Sequence, residues 1–210
     1  RSVSRGLGDV YKRQNLDKSD GGDNLNLIFK VLKRGDKLAF ASSRNETTLG
    51  IYVGMEHSIG DTSFPLRLVR AQFPKLAAPP IGQPCYDAEN RLVGIVLGVS
   101  RKGTCHLLPA QAISFLATHP EAKRVRLGCL LDINASTPVI EGLINGGPLA
   151  RGGIQTGDIL ISINGTTINN YGDMLDATYY LTGEKPLTVE VIRGTQVVKS
   201  RGIIPTQDSR

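Results

Sequence analysis

Short apolar runs separated by turn residues form the pattern of residues 25–120. In residues 65–73, Leu66 and Leu68 alternate with Arg67, close to the period of two that a half-buried strand requires. Runs of this kind occupy residues 25–32, 37–42, 48–55, 65–73, 91–99 and 103–109. The apolar spacing of residues 110–119 predicts a short helix that ends before Pro120. Strands at these intervals predict a small barrel or sandwich.

A second β-rich block begins after residue 123, where Gly, Asn, Thr and Ile become more frequent. Apolar and polar residues alternate over residues 187–191, and Arg193-Gly194-Thr195 predicts the turn of a hairpin. The final TQDSR is expected to be a polar tail. We therefore predict a mainly β chain with two domains, at residues 22–120 and 125–205. The 24 glycines, 11 prolines and 5% aromatic residues agree with short strands and tight turns.

The net charge of +6 does not indicate nucleic-acid binding, because of where the charged residues lie along the chain. Residues 1–14 carry +3 of it, and the rest has neither an Arg/Lys stripe nor clustered aromatic residues. Residues 4–14 resemble a translated sequencing-library adapter. We expect residues 1–21 to be this artefact and a flexible leader, with the true start of the protein upstream; an ordinary basic leader is the alternative. No apolar run is long enough to span a membrane, so no membrane insertion is predicted.

The cysteines Cys85, Cys105 and Cys129 lack metal-binding spacing. No metal or other cofactor is predicted. A bridge between Cys85 and Cys105 would fit an oxidising compartment, but three small buried hydrophobic side chains are the favoured interpretation.

One segment of the second block gives a specific family resemblance. Residues 146–168, GGPLARGGIQTGDILISINGTTI, resemble the central segment of PDZ domains in the HtrA family of trypsin-like proteases. Pro148 opens a helical turn, Thr156-Gly157-Asp158 turns into a strand, and Asn164-Gly165 is a hairpin signal. The resemblance implies a PDZ domain of β-sandwich type with two helices, which binds a peptide as an added strand and captures its terminal carboxylate.

The resemblance also indicates where the peptide would bind. Arg126-Leu127-Gly128-Cys129 matches the family's carboxylate-binding loop, in which Gly128 lets the backbone amides turn inward. The next strand should pair with the ligand, opposite a helix near residues 171–181 that Asn170 or its neighbour caps. The expected peptide-binding residues are Arg126, Leu127, Gly128, Cys129, Leu130, Leu131, Met174, Leu175 and Thr178. They imply a preference for a small or medium apolar C-terminal residue.

The first block resembles the second barrel of a trypsin-like protease that has lost its nucleophile. Residues 81–95 align with the family's G-x-S-G-G-P motif, and the serine position is Ile81, which has no ionisable proton. Gln83 replaces a glycine, and Pro79-Pro80 cannot donate the hydrogen bonds of an oxyanion hole. The position of the catalytic aspartate falls at Asn24. The barrel that bears the family's histidine is missing from this chain.

The leading hypothesis is a non-catalytic, protease-like protein that binds protein C-termini or misfolded segments, with oligomers possible in the family. The resemblance implies protein quality control in the periplasm or another envelope compartment. One alternative is an active serine endopeptidase, but Ser63, Ser100 and Ser114 lack glycine-rich surroundings. A β-barrel adaptor of non-protease origin is another. A pair of Cys85 with His106 is a weaker candidate for catalysis.

Overall fold

The computed structural model describes residues 31–41, 47–59, 62–74, 78–100, 102–133 and 135–207. Two compact units are distinguished: the second begins at His119, and residues 65–67 are grouped with it. In the described parts of the chain, no helix is both long and apolar enough to cross a membrane. Those residues also contain no group of three His, Cys, Asp or Glu side chains that could hold a metal ion.

The first unit is a closed six-stranded antiparallel barrel. Its strands follow the order β1-β2-β3-β6-β5-β4 around the barrel. Their bounds are β1 Lys37–Ala41, β2 Thr47–Ile59, β3 Thr62–Gln72, β4 Pro84–Asp87, β5 Leu92–Val99 and β6 Thr104–Pro109, and the helix α1 follows at Ala110–Thr118. Most of the predicted strand at residues 25–32 and all of residues 1–21 lie outside the described residues. The strands predicted over residues 37–109 and the helix after them are present.

Large apolar side chains fill the barrel, as the alternating pattern predicts. Phe40 and Phe73 pack edge to face with ring centroids 5.4 Å apart, a favoured aromatic geometry. Gly50 lies directly against this pair, because a Cβ atom built there would be 2.6 Å from the ring of Phe73. A glycine is therefore required at this strand position for packing rather than for backbone freedom.

All three cysteines are free thiols, in agreement with the favoured interpretation. Cys85 and Cys105 are fully buried and belong to the same apolar cluster of the barrel. Burial raises the pKa of the Cys85 thiol to about 12, with a further contribution from the neighbouring Cys105. Burial also raises the pKa of Cys105 to about 11. Both groups are therefore protonated and act as small apolar side chains.

We expect Cys85 to resist alkylation in the folded protein. With a pKa of about 12, only about one thiol in ten thousand is ionised at pH 8, against about a quarter in an unfolded chain with a pKa near 8.5. Labelling by iodoacetamide, followed by peptide mass spectrometry, should be about a thousandfold slower in buffer than in guanidinium chloride. Equal rates in the two conditions, or a Cys85–Cys105 disulfide in the mass spectrum, would contradict the buried dithiol.

The second unit consists of short strands with two helices. Its strands are β7 Val125–Arg126, β8 Cys129–Leu131, β9 Ile140–Leu143, β10 Ile159–Ile163, β11 Thr166–Thr167, β12 Leu187–Arg193, β13 Gln196–Ile203 and β14 Thr206–Gln207; its helices are α2 Pro148–Arg151 and α3 Tyr171–Tyr179. The main sheet has the order β11-β10-β12-β13, and β7 pairs with β14, β8 with β9. The expected polar tail is thus partly a strand, since Thr206 pairs with Arg126.

A buried ion pair fixes the turn that precedes β10. Asp158 is 1% exposed, and its carboxylate accepts hydrogen bonds from Arg193 Nε at 2.8 Å and Nη2 at 2.7 Å. It also accepts the backbone N–H of Gln155 at 2.8 Å. Arg193 donates a further bond to the carbonyl of Gly153. The pair therefore joins the turn to the end of β12, the strand that pairs with β10.

Candidate functional site

The predicted carboxylate-binding loop connects β7 to β8. Its central residue, Gly128, has φ +75°, a left-handed conformation that side chains other than glycine rarely adopt. A Cβ atom at Gly128 would also lie 3.1 Å from Cδ of Pro148 and 3.4 Å from Cα of Gly147. The loop therefore needs glycine both for its backbone conformation and for its close approach to the start of α2.

Two backbone hydrogen bonds determine the direction in which this loop presents its amides. The N–H of Leu149 donates to the carbonyl of Leu127 at 3.1 Å, and the N–H of Ile144 donates to the carbonyl of Gly128 at 2.9 Å. In a trans peptide unit the N–H points opposite to the C=O. The N–H groups of Gly128 and Cys129 consequently point away from α2 and from β9.

Strand β8 has a free edge. Among the described residues, β9 is the only strand that pairs with β8. β9 pairs with one edge of β8. The N–H of Cys129 points away from β9 and therefore lies at the other edge of β8. A row of unpaired backbone groups at a sheet edge is a template for adding a further strand.

The helix α3 is positioned by its N-cap. Asn170 has an extended backbone, and its side-chain oxygen accepts the N–H of Asp173 at 3.0 Å, as N-cap residues do. The backbone of α3 comes close to β7. Residues of both α3 and β8 pack against the same apolar core.

The three helix residues predicted to line the groove differ in their surroundings. Met174 is half-buried and packs against the core of the unit. Leu175 is buried, at 4% exposure, but it does not belong to the core cluster that contains Leu127 and Leu131. The hydroxyl of Thr178 donates to the carbonyls of Met174 and Leu175 at 2.9 and 3.0 Å. This hydroxyl is therefore bonded within its own helix.

The strand residues alternate between two faces. Leu127 and Leu131 are buried in the core, and Cys129 packs against it. Leu130 is 68% exposed, and its side chain lies on the face of β8 opposite to Leu131. Arg126 is exposed and belongs to β7, where it pairs with Thr206. Four of the nine predicted residues therefore lie in or against one core, namely Leu127, Cys129, Leu131 and Met174, while Leu130 stands apart from them.

The thiol of Cys129 makes this groove less polar than its sequence indicates. Burial raises the pKa of Cys129 to about 11, so the side chain is neutral at physiological pH. Cys129 and Met174 both pack against the apolar core that contains Leu127 and Leu131. Such a surface favours an apolar ligand side chain, with the free amides of the loop available for a carboxylate.

Sequence reasoning did not single out the residues that orient the loop. Ile144 and Leu149 act through their backbone N–H groups, which leave no pattern of side-chain types in the sequence. Pro148, noted as the start of a helical turn, additionally contacts the loop through its ring. The glycine pair Gly146-Gly147 before it could have been a signal for close backbone approach.

The position aligned with a protease nucleophile lies at a tight turn before β4. Ile81 is 71% exposed at this turn, and Gly82 follows with φ +86°. The N–H of Gly82 donates to the carbonyl of Val96 at 2.8 Å, and the N–H of Val96 donates to the carbonyl of Gln83 at 3.0 Å. The turn thus has a defined shape, and its exposed side chain is a hydrocarbon.

The structure separates Cys85 from His106. Cys85 and Cys105 point into the barrel, and successive residues of a strand point to opposite faces, so His106 points away from them. The Nε2 atom of His106 lies 3.5 Å from Oε2 of Glu56, and Nε of Arg70 lies 3.2 Å from the same oxygen. The Cys85–His106 pair is therefore wrong. Asn24, the position of the catalytic acid, lies outside the described residues.

Comparisons with known proteins support both parts of this description. Residues 139–193 match the family model of the PDZ domain. Among solved structures, the HtrA-type protease AlgW with a tripeptide superposes with a TM-score of 0.60 at 17% identity, covering 88% of this chain and 70% of that chain. The chain has an HtrA-like fold with a PDZ domain. No curated protein sequence matches the chain.

Two further structures share the HtrA-like fold. AlgW with a decapeptide has a TM-score of 0.56 at 17% identity, covering 85% of this chain and 62% of that chain. The serine endoprotease from Yersinia pestis has a TM-score of 0.50 at 15% identity, covering 88% of this chain and 67% of that chain. At such identities the likeness defines the fold, and the roles of individual residues are a separate question.

Proposed function

We propose that this HtrA-like protein binds the C-terminal ends of extended or misfolded polypeptides through its PDZ domain and does not cleave them. The observation that carries the proposal is the free edge of β8, which begins at two outward-pointing amides, those of Gly128 and Cys129. An added strand would pair with this edge, and its terminal carboxylate would accept hydrogen bonds from the amides.

The neighbouring surface supports an apolar last residue in the ligand. Cys129 on the strand and Met174 and Thr178 on α3 are half-buried, so part of their apolar surface is accessible to a ligand. Beneath Cys129 and Met174 lies the buried core that contains Leu127 and Leu131. Burying a valine or leucine side chain there is worth about 1.5–3 kcal/mol. The AlgW structures with a tripeptide and a decapeptide are consistent with peptide binding in this fold.

The proposal that the protein does not cleave its ligands rests on the side chain at the exposed turn. An isoleucine at position 81 provides no group that a general base could activate. One of the alternative serines, Ser100, uses its Oγ atom to accept the N–H groups of Lys102 and Thr104 at 3.3 and 3.1 Å. These observations favour a binding role over an endopeptidase.

The binding claim is tested with a pair of fluorescent decapeptides that differ only in a free or an amidated C-terminus. We expect carboxylate-dependent binding by fluorescence anisotropy, with amidation weakening it by about tenfold or more, because a charged hydrogen bond to the amides contributes about 1.5–3 kcal/mol. Equal binding of the two peptides would refute carboxylate capture at Gly128.

The non-catalytic claim needs a separate assay. The full chain is incubated with a fluorophosphonate probe and with an unfolded casein substrate, beside an active trypsin-like protease as the positive control. We expect neither serine labelling nor cleavage. Labelling of any serine would establish an active endopeptidase and would show that Ile81 is not at the nucleophile position.

A further inference from the structure

Gln207, on the short strand β14, joins two segments of the PDZ unit that are distant in the sequence. Its backbone pairs with Val125 in β7. Its side-chain Nε2 group donates a hydrogen bond to the carbonyl of Thr182 at 2.6 Å, although the two residues are 25 positions apart. Thr182 lies just after α3, whose C-cap is Tyr180. Gln207 therefore connects β7 to the segment that follows α3.

The side chain of Gln207 lies directly against the backbone of Gly183. A Cβ atom built at Gly183 would be 2.5 Å from Nε2 and 2.9 Å from Cγ of Gln207. Both distances are shorter than the van der Waals contact of about 3.5–4.0 Å between carbon atoms. Any side chain at position 183 would therefore displace Gln207 from the carbonyl of Thr182.

The two segments that Gln207 connects both belong to the proposed peptide site. β7 ends at Arg126 and leads directly into the carboxylate-binding loop. α3 carries Met174, and Leu181 in the segment after the helix packs against the same core. The neighbouring Thr206 donates from its hydroxyl to the carbonyl of Arg126 at 3.3 Å. β14 thus ties the helix and the start of the loop together where the backbones of α3 and β7 come close.

We propose that Gln207 is a positioning residue for the carboxylate end of this groove, a role that rests on the proposed binding of a C-terminal peptide. Its hydrogen bond and its contact with Gly183 fix the separation between α3 and the start of the loop. In the proposed complex the last side chain of the ligand lies between these two elements, so their separation limits the size of that side chain. Gln207 does not touch the ligand and acts through α3 and β7.

Two labelled decapeptides with free carboxylates, identical except for valine or phenylalanine at the last position, test the proposal by anisotropy with the full chain. The unmodified chain should bind the valine peptide more tightly. Gln207→Ala should lower this ratio of affinities about threefold, as expected for the loss of one hydrogen bond. Gln207→Glu should do the same, because it keeps the size of the side chain but has no N–H for the carbonyl of Thr182. The matched control is Gln196→Ala, an exposed glutamine on β13.

A second pair of variants opens the same contact without changing Gln207. Gly183→Ala places a methyl group against Nε2 of Gln207 at a residue with φ +74°. Gly194→Ala introduces alanine at a similar φ of +61°, but nothing lies within 4 Å of its Cβ atom. Only Gly183→Ala should lower the ratio. The double variant Gly183→Ala/Gln207→Ala should lower it no further than either single variant, because both changes break one contact.

Failure of this inference is distinguishable from failure of the proposed function. Binding that is indifferent to amidation would refute the groove itself. Carboxylate-dependent binding with no preference for valine, or with a ratio that survives in Gln207→Ala, would refute the role of Gln207 alone. Partial unfolding weakens both peptides equally and leaves the ratio unchanged, so it cannot imitate the expected result. A lower ratio in either control, or additive changes in the double variant, would also overturn the proposal.

Discussion

Replacing Gly128 by valine is expected to abolish carboxylate-dependent peptide binding and to destabilise the PDZ domain. A β-branched residue at φ +75° is a strained conformation, and its Cβ would lie 3.1 Å from the ring of Pro148. Together these effects should cost about 1–3 kcal/mol. Any relaxation that relieves them rotates the peptide units on both sides of Gly128, which turns its own amide and that of Cys129 away from the free edge.

The measurement is anisotropy with the free-carboxylate decapeptide, together with urea unfolding of the same preparation. The matched control is Gly194→Ala, because Gly194 also has φ +61° but nothing lies within 4 Å of a Cβ atom there. The control should lose about 1 kcal/mol of stability and keep its affinity. Normal affinity in Gly128→Val would show that the loop does not hold the carboxylate.

Replacing Asp158 by alanine is expected to destabilise the PDZ unit. The carboxylate is 2% exposed at its side chain and lies 2.7 Å from Nη2 of Arg193. Because Arg193 is 34% exposed and can be hydrated once its partner is removed, the cost comes from the lost hydrogen bonds of the buried carboxylate and is about 1–3 kcal/mol. The backbone N–H of Gln155 loses its acceptor in addition.

Unfolding of the PDZ unit in urea, followed by circular dichroism, measures this loss. The control is Lys199→Met, which removes the more exposed pair of Lys199 with Glu190 and should cost no more than about 1 kcal/mol. A loss of similar size in the two variants would mean that the burial of Asp158 does not add to the stability of the PDZ unit.

The same pair predicts a pH dependence. Hydrogen bonds from Arg193, opposed in part by burial, lower the pKa of Asp158 in the folded protein. A lowered folded-state pKa gives stability that is present above the unfolded value of about 3.9 and is lost as the pH falls through the folded-state pKa. The stability difference between the unmodified chain and Asp158→Ala should therefore shrink only below about pH 4.

Local turn chemistry made the PDZ unit predictable from sequence. The Asn164-Gly165 hairpin signal is confirmed, since both residues have positive φ, 49° and 81°. The N-cap at Asn170 is also confirmed. These features depend on residues that are neighbours in the sequence, and their side-chain types report directly on backbone conformation.

The rest of the site depends on distant backbone contacts that no local pattern encodes. The pairing of Thr206 with Arg126 joins a polar C-terminal segment to β7, and polar composition alone predicts a tail. Leu130 is predicted to line the groove only because it neighbours other groove residues in the sequence. Alternation along β8 places its side chain on the other face. The assignments of the nucleophile position and of Asn24 to the position of the catalytic aspartate rest on the family resemblance. The binding role of the groove stays a prediction.

The pairing of β14 with β7 has a mechanical consequence. Arg126, which pairs with Thr206, directly precedes the loop residue Leu127. A force applied to the chain after residue 207 would therefore act on the two residue pairs that join β14 to β7. Because β7 leads directly into the loop, the force would reach the loop as well. A purification tag or a surface tether attached at that end would therefore disturb the carboxylate-binding loop. Attachment at the β12–β13 turn near Gly194 would not.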